Sequence, residues 1–309
     1  MFFILLQVIL NLFFPLKIKA PKGAIRGCSL FKLRLKAMGG GVISVANGNI
    51  LQFTDDFLGG ELKGKTKIVI SGKNNKVVYS LQTMALHPCL EVGGEDNRVS
   101  IGKGFRPFSP GMCWYWFGKR NVLTIGEGVI VPNNPRIAPN FNRISMGGED
   151  CSITIKNNCT IGLNIVSGFQ NACKDWHLEC GEKTQLGGVV MLPYSPCKVT
   201  IGAHSQLSWN VLIGCGSHAL IDESGNCTNV CQGVEVGDHV WIGTGVVIPG
   251  TVKIPNGCIV GSNAVVTKSF EEENCILGGI PAKVIKRNVK WINEWPIMYL
   301  RGMEHPLNM

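Results

Sequence analysis

Between Val236 and Val265 an aliphatic residue returns at every sixth position. Split in sixes, the segment reads VGDHVW, IGTGVV, IPGTVK, IPNGCI and VGSNAV. Each block opens with Val or Ile, at 236, 242, 248, 254 and 260. The fifth place is small or medium apolar throughout: Val240, Val246, Val252, Cys258, Ala264. Neither a strand period of two nor a helix period of 3.6 accounts for this. A period of six predicts one short flat strand plus a turn, with three such units closing one coil of a triangular prism. First-position aliphatics point inward and stack on the same position one coil away. The fifth residue points inward near a corner, and the sixth faces out. Gly, Asn and Asp fill the turns because their backbones tolerate positive φ.

The register continues upstream. Ile201, Leu207 and Ile213 open IGAHSQ, LSWNVL and IGCGSH, with Ser205, Val211 and Ser217 in fifth place. Ile155 and Ile161 open IKNNCT and IGLNIV, and echoes appear at SIGKGF (100–105), TIGEGV (124–129) and VISGKNN near Val69. The array is expected to cover 42–268, broken by loops near 105–121, 132–150 and 170–198. Loops of that length act as lids, interface elements or packing insertions. After Val266 the pattern stops. Residues 269–309 are expected to form a loop, a Gly-Gly-Ile-Pro turn and a basic helical tail, which covers the open last coil. Residues 1–41 are expected to be an irregular extension.

Composition sharpens the picture at the ends of the chain. Among 309 residues, 45% are hydrophobic and 17% charged, the balance of an ordered chain, and 39 glycines suit a structure of many turns. The net charge of +9 is uneven: residues 1–54 hold no acidic residue. Lys17, Lys19, Lys22, Arg26, Lys32, Arg34 and Lys36 suit an anionic membrane surface or a solvated linker. Nucleic acid is disfavoured, since few aromatics interleave the basic run. The opening MFFILLQVILNLFFPL is interrupted by Gln7, Asn11 and Pro15, and reads as an interfacial anchor or a docked terminal helix. Peripheral membrane contact through residues 1–36 is therefore one expectation. Thirteen scattered cysteines without a CxxC pair favour reduced thiols and a cytoplasmic setting.

Four segments in order, LSWNVLIGCGSHALIDESG, VEVGDHVWIGTGVVIPG, IVGSNAVVTKSF and ILGGIPAKVIKR, resemble the hexapeptide-repeat acyltransferases. The likeness is greatest to the sugar and capsular-polysaccharide O-acetyltransferases and covers about residues 199–290. It implies an all-β fold, a left-handed parallel β-helix, assembled as a homotrimer with sites between subunits. It further implies acetyl-CoA as acyl donor, no metal, and a sugar or glycan hydroxyl as acceptor. His218 matches the family's catalytic histidine, a general base that takes the hydroxyl proton as the oxygen attacks the thioester. Trp241 matches a tryptophan lining the thioester site. Coenzyme contacts are implied for Gly243, Gly261, Lys268, Pro281, Ala282 and Lys283, with Lys286 and Arg287 as further phosphate partners. The segment 219–233 leaves the repeat, so Asp222, Glu223 and Asn226 are candidate sugar contacts, with coil insertion as the plainer reading.

Two departures matter. Gly216 stands where relatives often place an Asp that orients the imidazole, leaving a backbone carbonyl, Asp222, Glu223, Glu235 or another subunit for that task. Ile280 in GGIPAK replaces an amide usual in relatives. Three other functions compete: a metalloenzyme using His204, His218 and His239; a non-catalytic solenoid scaffold; and N-acetyl transfer to an amino sugar. The histidines occupy unlike hexad positions, which argues against a shared metal.

Overall fold

A computed structural model describes residues 16–28, 40–54, 61–63, 66–80, 84–86, 89–107, 113–132, 144–166, 173–192, 196–214, 219–230 and 232–293. The chain winds as a parallel β-solenoid. One face is a ten-stranded parallel sheet running from Ile25–Arg26 to Val252–Ile254. The other two faces merge in a sixteen-stranded sheet, because Thr160–Val166, Gln185–Leu192 and Gln206–Gly214 each continue round a corner. The bends are marked by register shifts at Ile161/Leu163 and Gly188/Val189 and by a left-handed backbone at Asn210, φ 55°.

In the last full coil, Val234–Val236 lies on the first face, Trp241–Ile242 on the second and Val247–Ile248 on the third. Each pairs with its counterpart one coil on: Val236 with Ile254, Ile242 with Val260, and Val247 with Val265. The hexad expectation holds at every core position. Val236, Ile242, Ile248, Ile254 and Val260 are buried, as are the fifth-place Val240, Val246, Val252, Cys258 and Ala264. Burying each of these larger aliphatics contributes about 1.5–3 kcal/mol, and stacking like on like makes the core continuous.

Three expectations about the repeat need correction. Segments expected as loops contain coils: Cys113–Trp116, Ile144–Met146, Trp176–Cys180 and Gln185–Leu192 all pair in the sheets. Trp114, Trp116, Met146, Trp176 and Met191 share the interior there with Ile144, Leu178, Leu186 and Val189, so the strict aliphatic hexad is broken although the coil is present. Parallel stacking also reaches into the expected N-terminal extension, where Leu16–Lys19 pairs with Gly41–Ser44 and Ile25–Arg26 with Leu51–Gln52. Finally, the pattern does not stop at Val266. Ile276–Gly279 stacks on Ile259–Val260, then turns back as an antiparallel hairpin with Ala282–Lys286. Residues 282–286, expected to begin a helical tail, are strand, and no helix occurs among the described residues. The hairpin occupies the edge that an open last coil would expose.

The corner between the third and first faces carries two ladders. Asn49, Asn75, Asn97 and Asn121 are buried one above another, each Oδ1 accepting the backbone N–H of the next rung at 2.8–2.9 Å, the last from Cys151. Outside them Lys73, Glu95, Lys119, Glu149 and Lys174 bridge in alternating charge. Glu95 pairs with Lys73 at 3.5 Å and with Lys119 at 3.4 Å. No disulfide joins the described cysteines. Residues 1–15 and 29–39, which hold most of the expected membrane-contact segment, lie outside the described residues. Among the described residues no helix is long and apolar enough to cross a membrane.

Candidate functional site

His218 lies outside the described residues, as do Cys215, Gly216 and Ser217. Its flanks are fixed. The strand Gln206–Gly214 leads to it along the third face, held by Leu212 and Ile213 pairing with Val247 and Ile248. The chain resumes at Ala219 and rejoins the first face at Val234. Gly214 and Val234 thus flank the corner that carries the asparagine and charge ladders.

The described part of the intervening loop, 219–230, folds on itself. Ile221 bridges Cys227, Thr228 N–H donates to Leu220 O at 2.8 Å, and Leu220 N–H donates to Asn229 Oδ1 at 2.9 Å. Asp222 accepts from the backbone N–H of Asn226 at 2.8 Å and of Ser224 at 2.9 Å. The first of these donors, more than any charge, holds the Asp222 carboxyl below its ordinary range. Asp222 and Asn226, expected as sugar contacts, therefore shape the loop, while Glu223 is exposed at its tip. Leu220 and Ile221 project into solvent, each about 60% exposed.

Beside the loop's return lies an open cavity of about 590 Å³ on the first face. Lys198, Thr200, Glu235, Thr251, Lys253 and Ser269 line it with hydroxyls and charges. Glu235, one of the groups considered for orienting His218, pairs with Lys253 at 3.7 Å. Lys268 stands at the same corner two coils above Gly214, its Nζ 5.8 Å from the Phe270 ring centroid.

The remaining candidates gather elsewhere. Trp241, a sixth hexad residue, faces out as expected and is 40% exposed; its Nε1 donates to Ser208 Oγ at 3.3 Å. The strand register places Gly243 beside Gly261 and Gly261 beside Gly278, and Gly278 pairs with Lys283. At Gly243 the missing side chain allows close approach of backbones, whereas Gly278 makes room for the Ile285 side chain. A Cβ on Gly243 would lie 2.7 Å from Ser262 N and 2.9 Å from Val260 O. Ala282 is buried, donating to Val265 O at 2.9 Å, and Pro281 follows a cis bond from Ile280 at the exposed hairpin tip. The structure thus unites Trp241, Gly243, Gly261 and Lys283 along the second face, with Ala282 bonded to Val265 of the third, and sets Lys268 at the corner beyond the third face. Lys286 is exposed, and Arg287 pairs with Glu272 at 2.9 Å.

Sequence reasoning missed the neighbours of Trp241. His239 and Trp291 stack with centroids 4.3 Å apart and planes 7° apart, and Trp291 in turn packs on Trp241 at 6.1 Å. Nothing in the hexads points to Trp291, which comes from beyond them. His204 and His239 occupy equivalent corners of successive coils, both with left-handed backbones, φ 56° and 53°. Their hexad place is that of a corner residue. Among the described residues no cluster of three or more His, Cys, Asp or Glu side chains is disposed to hold a metal ion.

No family model matches the chain. Among curated proteins it is 33% identical over 115 residues to a protein of Escherichia coli K12 named for colanic acid biosynthesis acetyltransferase WcaF; the match covers 37% of this chain and 61% of the relative. It is 49% identical over 55 residues to the same strain's WbbJ, named for lipopolysaccharide biosynthesis O-acetyl transfer, covering 18% and 27% respectively. The chain therefore spans less than two thirds of the length of these relatives. Among solved structures, the polysialic acid O-acetyltransferase OatWY superposes with a TM-score of 0.45 at 25% identity, covering 74% of this chain and 92% of that one. The chain is a hexapeptide-repeat β-solenoid, similar over part of its length to proteins named as sugar and polysaccharide acetyltransferases.

Proposed function

We propose that the protein transfers an acetyl group from acetyl-CoA to a hydroxyl of a sugar or glycan. The observation that carries this reading is the outward-facing Trp241 beside the Gly243–Gly261 column and Lys283, in a chain whose relatives are named as acetyltransferases. Such a column, with its N–H groups donating to the next coil, leaves a surface bare of side chains beside a flat indole for an extended thioester arm, and Lys283 is a cation for its phosphates. His218 is the proposed general base. An alcohol at neutral pH is a poor nucleophile, and imidazole suits removal of its proton as the C–O bond forms. Thiolate then leaves as coenzyme A, with no acyl-enzyme. The cavity beside the loop's return, lined by hydroxyls and paired charges, suits a polyhydroxylated acceptor.

Within one chain the described flanks of His218 stand apart from Trp241. Gly214 ends the third face and Val234 starts the first, whereas Trp241 begins the second face. That separation supports a homotrimer in which a second copy completes the site. Peripheral membrane contact through residues 1–36 and a cytoplasmic setting remain part of the proposal.

The test is an acetyl-CoA consumption assay on the full chain against sugars and capsule-type oligosaccharides. Acetyl transfer that His218→Ala abolishes, with circular dichroism and oligomeric state unchanged, is the expected result. Near-wild-type turnover by that variant would refute the base assignment. Absence of any coenzyme A binding would favour a scaffold, and transfer confined to amino sugars would favour N-acetylation.

A further inference from the structure

After the final hairpin the chain runs back down the corner between the first and second faces. Arg287 pairs with Glu272 at 2.9 Å, and Val289 N–H donates to Asn274 O at 2.9 Å. Trp291 then reaches His239, two coils below Asn274, since Asn274 stacks on the Asn256–Gly257 turn and that turn on Asp238–His239. This strap ends in a reciprocal lock. Trp291 Nε1 donates to His239 O at 2.7 Å, and His239 Nε2 meets Trp291 O at 2.9 Å. A backbone carbonyl only accepts, so Nε2 carries the proton in this bond. With the two rings stacked, three contacts fix one residue pair, and Trp291 is only 8% exposed.

The gripped turn leads within two residues to Trp241. That exposed indole is held from one side by Ser208 Oγ and from the other by the Trp291 ring, 6.1 Å away at 45°. We propose that Trp291 is a positioning residue for Trp241, so that the strap sets the indole's orientation before the acyl donor arrives. The inference rests on Trp241 lining the donor site. A terminal cap needs only apolar burial; the lock adds two directional hydrogen bonds to the turn that carries Trp241. Ordering an exposed aromatic in advance removes an entropic cost from binding.

The experiment uses the full chain labelled with 5-fluorotryptophan, the Trp241 fluorine signal being assigned by Trp241→Phe. In Trp291→Ala, that signal is expected to broaden or shift, and the dissociation constant for coenzyme A by calorimetry to rise about five- to tenfold. The kcat and the acceptor KM are expected to stay within about twofold. Trp291→Phe, which keeps the ring stack and loses the N–H donor, should recover part of the affinity. His239→Ala, which leaves Trp291 in place, should reproduce the loss and serves if Trp291→Ala does not fold. An unchanged Trp241 signal and unchanged coenzyme A affinity in folded variants would overturn the proposal. Wild-type protein that binds no coenzyme A overturns the donor-site reading instead, and the fluorine signal alone then decides the clamp.

Discussion

Asn97 and Asn121 sit at the same corner of successive coils, and Oδ1 of the first accepts the backbone N–H of the second at 2.9 Å. The Nδ2 of Asn97 donates back to Gly93 O at 2.7 Å and forward to Gly118 O at 3.1 Å. One side chain thus closes its own turn and joins it to the next, and it is wholly buried. Asn97→Ala leaves a buried N–H without its acceptor and two carbonyls without this donor. The expected loss is about 2–3 kcal/mol, read as a lower denaturant midpoint with unchanged slope.

Gly243 tests whether the glycine column is packing or mere absence of side chain. In Gly243→Ala the new Cβ meets Ser262 N, Ser262 Oγ and Val260 O within 3 Å, mostly backbone of the next coil. The coils must shift apart, at a cost of about 1–3 kcal/mol. Thermal unfolding should show it. A variant as stable as wild type would contradict the close approach.

Charge alternation along the outer corner leads to a smaller effect. Glu95→Lys places three lysines on consecutive rungs, with Lys73 and Lys119 on either side. Exposed pairs are weak, so a loss of about 1 kcal/mol is expected in dilute buffer. Because the charges are solvent-accessible, most of that loss should vanish near 0.5 M salt, where the Debye length is only about 4 Å. Destabilisation that salt does not relieve would point to a steric cause.

The loop near His218 should respond to acid through Asp222. Its carboxyl is held below the ordinary range by N–H donors from Asn226 and Ser224. A depressed value means the loop's hydrogen bonds favour the ionised form. Their contribution is complete above the ordinary carboxylate value and fades as pH falls through the depressed one. Amide exchange at Ser224 and Asn226, corrected for intrinsic rates, should therefore lose protection at acid pH. Asp222→Asn should show that loss at neutral pH.

From 199 to 214 and from 234 to 266 the coil was legible residue by residue, because the inward places are filled by residues of the hexad type. Further upstream the same geometry is reached by other means. Aliphatics still fill most inward places, but Trp114, Trp116, Met146, Trp176 and Met191 and uneven spacing break the sixfold count, and the recurrent signal lies in the turns: SGKNN, GGEDN, FGKRN and GGEDC at 71–75, 93–97, 117–121 and 147–151. A left-handed residue stands fourth in each, Asn74, Asp96, Arg120 and Asp150. Turn chemistry, rather than core periodicity, marks those coils, and a search for aliphatics at sixfold spacing passes over it. The strand at 282–286 was missed for a related reason. A basic sequence with no strict alternation forms a strand there because Ile276–Gly279 offers it an unpaired edge.

The sequence by itself determined the solenoid, its inward rungs and the outward direction of Trp241, because a strict repeat ties each position to one direction in space. It also singled out His218 through its setting in GSHAL. Tertiary structure alone decided which distant residues meet. It brought Lys283 to Gly278 by an antiparallel turn and carried Trp291 back two coils to His239. It also separated Lys268 from the column it had been grouped with. Those contacts depend on where the chain goes after the repeat ends, and local periodicity holds no information about a path that crosses coils.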